Sequence, residues 1–293
     1  MKFTLRPKQL SGLFLRLAAV ILLSGCGADD PITPARYAGP DALYEQIDKS
    51  VKEASELAYY VDIDHSRLAA EHDVVMPPAH VLLASAPALE KALIALDPRL
   101  GLELPLRALA FETPDGEARV AFNDWEFIQQ RYGLSDASRI GAAYTSAMAA
   151  MLAGVPKASL HQFPSNQTSQ DSIVTLDSVH DFATTIKRAR AAISGQGDTV
   201  WFGEIDLPGT AAAHLMLFGG PAPGGKAMAT APSLGLDAFC QKLLVWRDPQ
   251  GVTHLSFNNL LALARRQDVP INIPLRIIDY RVRSTFEDVA AAD

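Results

Sequence analysis

The chain has 293 residues, 48% of them hydrophobic and 20% charged, with 26 Lys+Arg against 33 Asp+Glu and only 2 Cys. This is too apolar for a disordered chain and too poor in cysteine for a disulfide scaffold. A net charge of -7 and a pI near 5.5 exclude a general nucleic-acid binder, whose affinity comes mainly from neutralising phosphates; the length allows two ordinary domains.

Residues 1–25 carry Lys2, Arg6, Lys8 and Arg16, no acidic residue, and the apolar run Leu17 to Leu23. A basic start before so short an apolar run predicts a secretory signal rather than a membrane span, which needs about 20 apolar residues. Leu23-Ser24-Gly25-Cys26 then resembles the bacterial lipobox. That resemblance implies that Cys26 is acylated and becomes the mature N-terminus, anchoring the protein in a lipid membrane. Gly27 in place of Asp implies, by the usual sorting rule, the periplasmic face of the outer membrane. Cleavage removes four basic residues and no acidic one, taking the charge from -7 to -11. Cys240 is then the remaining thiol, with no partner for an intramolecular disulfide. Residues 26–40, rich in Pro and Gly, read as a lipidated tether ending at Pro40.

Beyond the tether the chain repeats itself at an offset of about 134 residues. Ala79-His80-Val81-Leu82-Leu83 matches Ala213-His214-Leu215-Met216-Leu217, and Pro98 to Glu103 matches Pro232 to Asp237. After a one-residue slip, Ala121-Phe122-Asn123 meets Ser256-Phe257-Asn258. The expected organisation is a first repeat over 41–152, a linker over 153–171 and a second repeat over 172–293.

The elements follow in the same order in both copies. Asp41 caps a helix with Leu43, Ile47, Val51 and Ala54 on one stripe; its counterpart starts at Ser178 and aligns Phe182, Ile186, Ala189 and Ile193. Strands are expected over Leu57–Ile63 and Thr199–Ile205, then over 79–84 and 213–218, each followed by a short helix. Hairpins follow around Pro114-Asp115-Gly116 and Asp248-Pro249-Gln250-Gly251. Helices close the copies at Trp125–Tyr132 and Leu260–Arg266, and Ile140, Tyr144, Ala147, Met148 and Met151 make a further amphipathic helix that reads as packing. Strands and helices mix without strict alternation, so the class is α+β, two antiparallel sheets with helices packed on one face of each.

Several short motifs in order resemble the bacterial domain of unknown function 302 family. They are Ile63-Asp64-His65-Ser66-Arg67-Leu68, Gly101 to Leu109, Phe122-Asn123-Asp124 and Arg131-Tyr132-Gly133-Leu134, with a second copy that departs further. The resemblance implies a β-α-β-β-β-β-α core and no defined activity. In the second copy Asp206-Leu207 replaces the Asp-His pair, and Tyr132 stands where the family has a histidine.

No catalytic constellation is evident. Gly220 to Lys226 fits G-x-x-x-x-G-K, but Ala227 follows the lysine and Pro221 and Pro223 remove backbone donors, so the run reads as a turn and no nucleotide is expected. His65, His72 and His80, with Asp62 or Asp64 nearby, lack the tight spacing of a metal site, and no metal or cofactor is expected. Asn123-Asp124 and Asn258-Asn259 read as helix caps. The favoured expectation is non-catalytic binding of a small molecule or envelope protein by a pseudo-dimer of the repeats, in the cleft between them. Its candidate contacts are His65, His80, Pro87, Asn123, His214, Gly219, Gly220, Lys226 and Asn258. The alternatives are an enzyme using Asp64, His65 and His80 in the first repeat, and a structural module of the envelope.

Overall fold

The computed structural model describes residues 34–135, 137–209 and 212–292. The signal segment and Cys26 lie outside the described residues. In the first repeat the chain runs through α1 (Pro34–Glu53), β1 (Ala58–Asp64), α2 (His65–Ala70), β2 (Ala79–Ser85), α3 (Pro87–Leu96), β3 (Leu106–Glu112), β4 (Ala118–Phe122), α4 (Trp125–Tyr132) and α5 (Ser138–Met151). The connection holds β5 (Leu160–His161) and α6 (Ser169–Ser172). The second repeat is β6 (Ile173–Asp177), α7 (Phe182–Ser194), β7 (Val200–Asp206), β8 (Ala213–Gly219), α8 (Pro221–Met228), β9 (Gln241–Arg247), β10 (Thr253–Asn258), α9 (Leu260–Arg266) and α10 (Ile273–Ala290).

Two five-stranded sheets result, ordered β1-β2-β3-β4-β5 and β6-β10-β9-β8-β7. Each contains a four-stranded antiparallel meander with the same register, Asp64 opposite His80 and Asp206 opposite His214, and a bulge at the same place in β1 and β7. The fifth strand differs: β5 joins β4 in parallel, whereas β6 joins β10 antiparallel.

The interior strands β3 and β8 are buried almost throughout because both faces of each sheet are covered. Helix α1 packs on one face of the first sheet through Leu43, Ile47 and Val51. The opposite face takes the other repeat: the 3-10 turn Pro232–Leu236 packs on β2 and β3, and its counterpart Pro98–Glu103 packs on β8 and β9. Gly101 and Gly235 hold equivalent places in these turns. A Cβ on Gly101 would lie 2.8 Å from Leu207 and Leu244, and one on Gly235 would lie 2.7 Å from the His65 ring. Such close approach of side chains to the backbone of each turn is what glycine permits.

Three boundaries differ from the sequence expectation. Helix α1 begins at Pro34 rather than at Asp41, because Tyr37 and Pro40 are buried, Arg67 lies 4.4 Å over the Tyr37 ring, and Arg36 pairs with Glu112 at 2.6 Å. Residues 34–40 are therefore helix rather than tether. Helix α7 is capped by Asp181, whose side chain accepts from the Thr184 N–H, not by Ser178. The Gly220 to Lys226 run is the first part of helix α8 rather than a turn, with Pro221 at the first helical position, where its missing N–H costs nothing. The expected caps of α4 and α9 are present, supplied by Asp124 and Asn259, the second residue of each pair.

Candidate functional site

Strand alternation sends the candidate residues to opposite faces of the first sheet. His80 in β2 faces α1. Its ring stacks on Tyr44 at 3.5 Å, and its Nε2 lies 2.6 Å from Asp62. His214 makes the equivalent clamp in the second repeat, with Nδ1 2.7 Å from Asp206 and Nε2 3.0 Å from Glu204. His65 opens α2 on the other face and donates from Nε2 to the Gly235 carbonyl at 3.2 Å, across the repeat boundary. Burial pushes its pKa down to about 4, against the carbonyl and Asp64, which favour the charged form. Asp64 itself caps α2 and binds Ser66 and Arg67. The Asp64, His65 and His80 constellation is thus split: His80 Nδ1 lies 3.9 Å from Asp64, while His65 is directed to the other repeat.

Among the described residues, Asp41, Asp64 and His80 bring ligand-type atoms within 4.8 Å of one another. Arg67 occupies that position, paired with Asp41 at 2.7 Å and with Asp64 at 2.5 Å. The guanidinium meets the charge that a cation would otherwise meet.

At the boundary between the repeats a space of about 540 Å³ opens between Leu96 and Pro98 of the first and Trp246 and Pro249 of the second, but the predicted contacts do not line it. His65, Gly219 and Gly220 meet elsewhere on that boundary, with Ile63, Phe202 and Cys240, but they enclose only about 20 Å³, room for about one water. Burial pushes the Cys240 thiol up to about 12, leaving it inert as a nucleophile. Pro87 is spent on starting α3, and Lys226 is exposed on α8.

Asn123 and Asn258 belong to a buried polar network that joins the repeats. Its members are four matched pairs at the repeat offset: Glu103 and Asp237, Arg107 and Lys242, Asn123 and Asn258, Arg131 and Arg266. Arg107 binds Asp237 and donates to the Leu236 carbonyl at 2.9 Å. Asn123 donates to Asp237 at 2.9 Å and accepts from Arg266 at 2.8 Å, while Arg131 pairs with Glu103 and donates to Asn258 at 2.7 Å. Lys242 donates to the carbonyls of Leu102 and Leu104. Burial alone would raise both carboxyls, yet Arg131 and Arg107 hold Glu103 below the ordinary carboxylate range, and Arg107 and Arg266 do the same for Asp237. Burial, with the neighbouring Arg107 charge, lowers Lys242 to about 7. The sequence signal for this network was available: charged residues matched in both copies inside apolar stretches.

An apolar pocket lies in the first repeat, lined by none of the predicted contacts although its wall residues Phe122 and Asp124 flank Asn123. It has a volume of about 420 Å³ between β4, the first turn of α4, helix α5 and β5. Phe122, Trp125, Tyr144, Met148, Leu152, Val155 and Leu160 supply its apolar wall, with Asp124, Thr145, Lys157 and Gln162 among its polar groups. Gly141 in α5 lets the Trp125 indole rest directly on the helix, since a Cβ there would sit 2.3 Å from the ring nitrogen. Tyr144 is fixed by donating to the Asn123 carbonyl at 3.1 Å, and its ring centroid lies 5.7 Å from that of Trp125. The stripe Tyr144, Ala147, Met148 and Met151 packs as expected, while Tyr144 and Met148 also face this space. In the second repeat, Asp279 stands at the Tyr144 position and accepts from the Leu260 N–H; the space near Leu260 and Val282 is about 10 Å³.

With this architecture in view, the chain belongs to the family described as "Domain of unknown function DUF302", whose model matches residues 33–151 and 174–274. The two matched segments are the two repeats. A protein named fluoride-specific ion channel FluC 1 from Brucella suis biovar 1 (strain 1330) is 31% identical over 149 residues, 46% of this chain and 57% of that protein. The protein named fluoride-specific ion channel FluC 2 from Brucella melitensis biotype 1 is 31% identical over 149 residues, 46% of this chain and 53% of its own length. The chain thus spans little more than half the length of these relatives. The crystal structure of an uncharacterized conserved DUF302 protein from Bacillus stearothermophilus is similar with a TM-score of 0.36 and 15% identity, covering 41% of this chain and 98% of that one.

Proposed function

We propose that this protein is a lipid-anchored envelope lipoprotein that binds a small apolar or amphipathic molecule, without catalysis, in the pocket of its first repeat. The observation that carries the reading is the pocket itself. Its volume of about 420 Å³ lies within the range of small-molecule sites, its wall is aromatic and aliphatic, and a few polar groups stand beside it. Near Leu260 and Val282 of the second repeat the space is about 10 Å³, and this repeat serves as the rigid partner that closes the first sheet. Lys157 and Thr145 are exposed and free to orient a polar end of the ligand. The anchor rests on the lipobox-like Leu23 to Cys26, and Gly27 directs it to the outer membrane. The channel activity in the names of the Brucella proteins is not carried over. The match covers part of each chain, and among the described residues no helix is long and apolar enough to cross a membrane.

The test is saturable binding of the fluorescent apolar probe N-phenyl-1-naphthylamine by the mature protein, at one site per chain. Ala149→Trp, on the exposed side of α5, fills the pocket and is expected to remove binding while leaving the melting temperature within a few degrees. Binding that survives this substitution rejects the pocket. Mass spectrometry of the mature N-terminus tests the acylation of Cys26 separately.

A further inference from the structure

Helix α10 has two apolar faces. Leu275, Ile278, Val282, Phe286 and Val289 are buried against the second repeat. On the solvent side Ile273, Ile277 and Tyr280 stand 73%, 59% and 73% exposed. Spacings of four and three residues place these three on one ridge. Single exposed apolar residues need no explanation, but a ridge of three on one helix marks a contact surface.

Charge selects the occupant. Arg276 and Arg283 border the ridge on one side, and neither has a side-chain hydrogen bond or ion pair among the described residues. On the other side Arg281 is tied to Asp198 at 2.5 Å. Unpaired arginines beside an apolar ridge, in a chain of net charge -7, call for a partner that is anionic at its surface and apolar beneath. A bilayer containing anionic lipid has that layering, and a tyrosine suits its interface because the ring is apolar and the hydroxyl polar. The anchor supplies proximity: from Cys26 to Pro34 the chain can reach at most about 29 Å, which keeps the body within reach of the lipid surface.

We propose that α10 rests on an anionic lipid surface, with Ile273, Ile277 and Tyr280 entering the boundary between headgroups and acyl chains and Arg276 and Arg283 on lipid phosphates. The proximity argument rests on the lipoprotein reading; the surface itself is tested apart from it.

Mature Ile277→Cys protein is labelled with an NBD fluorophore, Cys240 being buried and Cys26 acylated, and studied with vesicles of phosphatidylcholine alone or with phosphatidylglycerol. The expected result is a blue shift and quenching by brominated lipid with the phosphatidylglycerol vesicles, lost when Arg276→Glu and Arg283→Glu are added. A label at Val179→Cys, at another exposed apolar position, stays in water. Emission at 277 that is water-like with both lipids overturns the proposal, as does a shift that develops with protein concentration in the absence of vesicles, which identifies a second copy as the occupant. If mass spectrometry finds Cys26 unmodified, Cys26→Ala is added before labelling and the labelled protein is added to preformed vesicles. Failure of the anchor and failure of the surface are then read separately.

Discussion

At the scale of the residue, His65 shows how burial turns a titratable side chain into a structural one. Its folded pKa of about 4 lies below its ordinary 6.5, so between these values the unfolded chain binds more protons than the folded one. The stability that neutral His65 contributes is complete above pH 6.5 and is lost as the pH falls toward 4, at most about 3 kcal/mol over that window. Urea midpoints measured from pH 7 to 4 are expected to fall, and His65→Gln, which keeps a donor for the Gly235 carbonyl, is expected to flatten the decline. An unchanged slope in the variant assigns the acid sensitivity elsewhere. His65 and His80 were both visible in the sequence as polar residues of one short region. What separates them is that His80 sits on the α1 face of β2 while His65, one step past β1, opens a helix on the other face. Composition and spacing carry no information about which side of a sheet another repeat will cover.

At the scale of the element, most strands and helices were legible because hydrophobic period and turn residues mark them locally. The meanders, α4 and α9 fall where the pattern puts them. Helix α10 and strand β6 were not foreseen, and α1 was foreseen too short, because packing on distant parts of the chain stabilises them. The pocket is likewise a product of helix α5 against β4 and β5, and Gly141 is where its shape is set. An ordinary Gly→Ala change inside a helix gains about 1 kcal/mol. At Gly141 the added methyl meets the Trp125 indole, so Gly141→Ala is expected to cost about 1–3 kcal/mol instead and to weaken probe binding. A stabilised variant with unchanged binding would show that the indole moves freely and plays no part in shaping the pocket.

At the scale of the whole molecule, the two repeats share an interface whose centre is charged. Separating them would expose the turns Pro98–Glu103 and Pro232–Leu236, break the Arg107–Asp237 pair, and remove the bonds from Arg131 to Asn258 and from Arg266 to Asn123. Breaking a buried ion pair by removing one side typically costs about 3–5 kcal/mol, a large share of a domain's stability. Residues 34–152 expressed alone are therefore expected to give no cooperative melting transition as a monomer. Co-expression with residues 153–292 is expected to restore one. A monomeric half that melts cooperatively by itself would show that the network adds specificity rather than stability.

The sequence by itself determined that this protein is two copies of one α+β unit of the DUF302 family, because a repeat, a hydrophobic period and a turn are local patterns written along the chain. Only the tertiary structure decided that the boundary around His65 is filled, that the matched charges meet between the copies, and that an apolar pocket opens beside α5. Those outcomes depend on which faces meet and how closely side chains fill the gap between them, and close packing is a property of pairs of residues far apart in sequence.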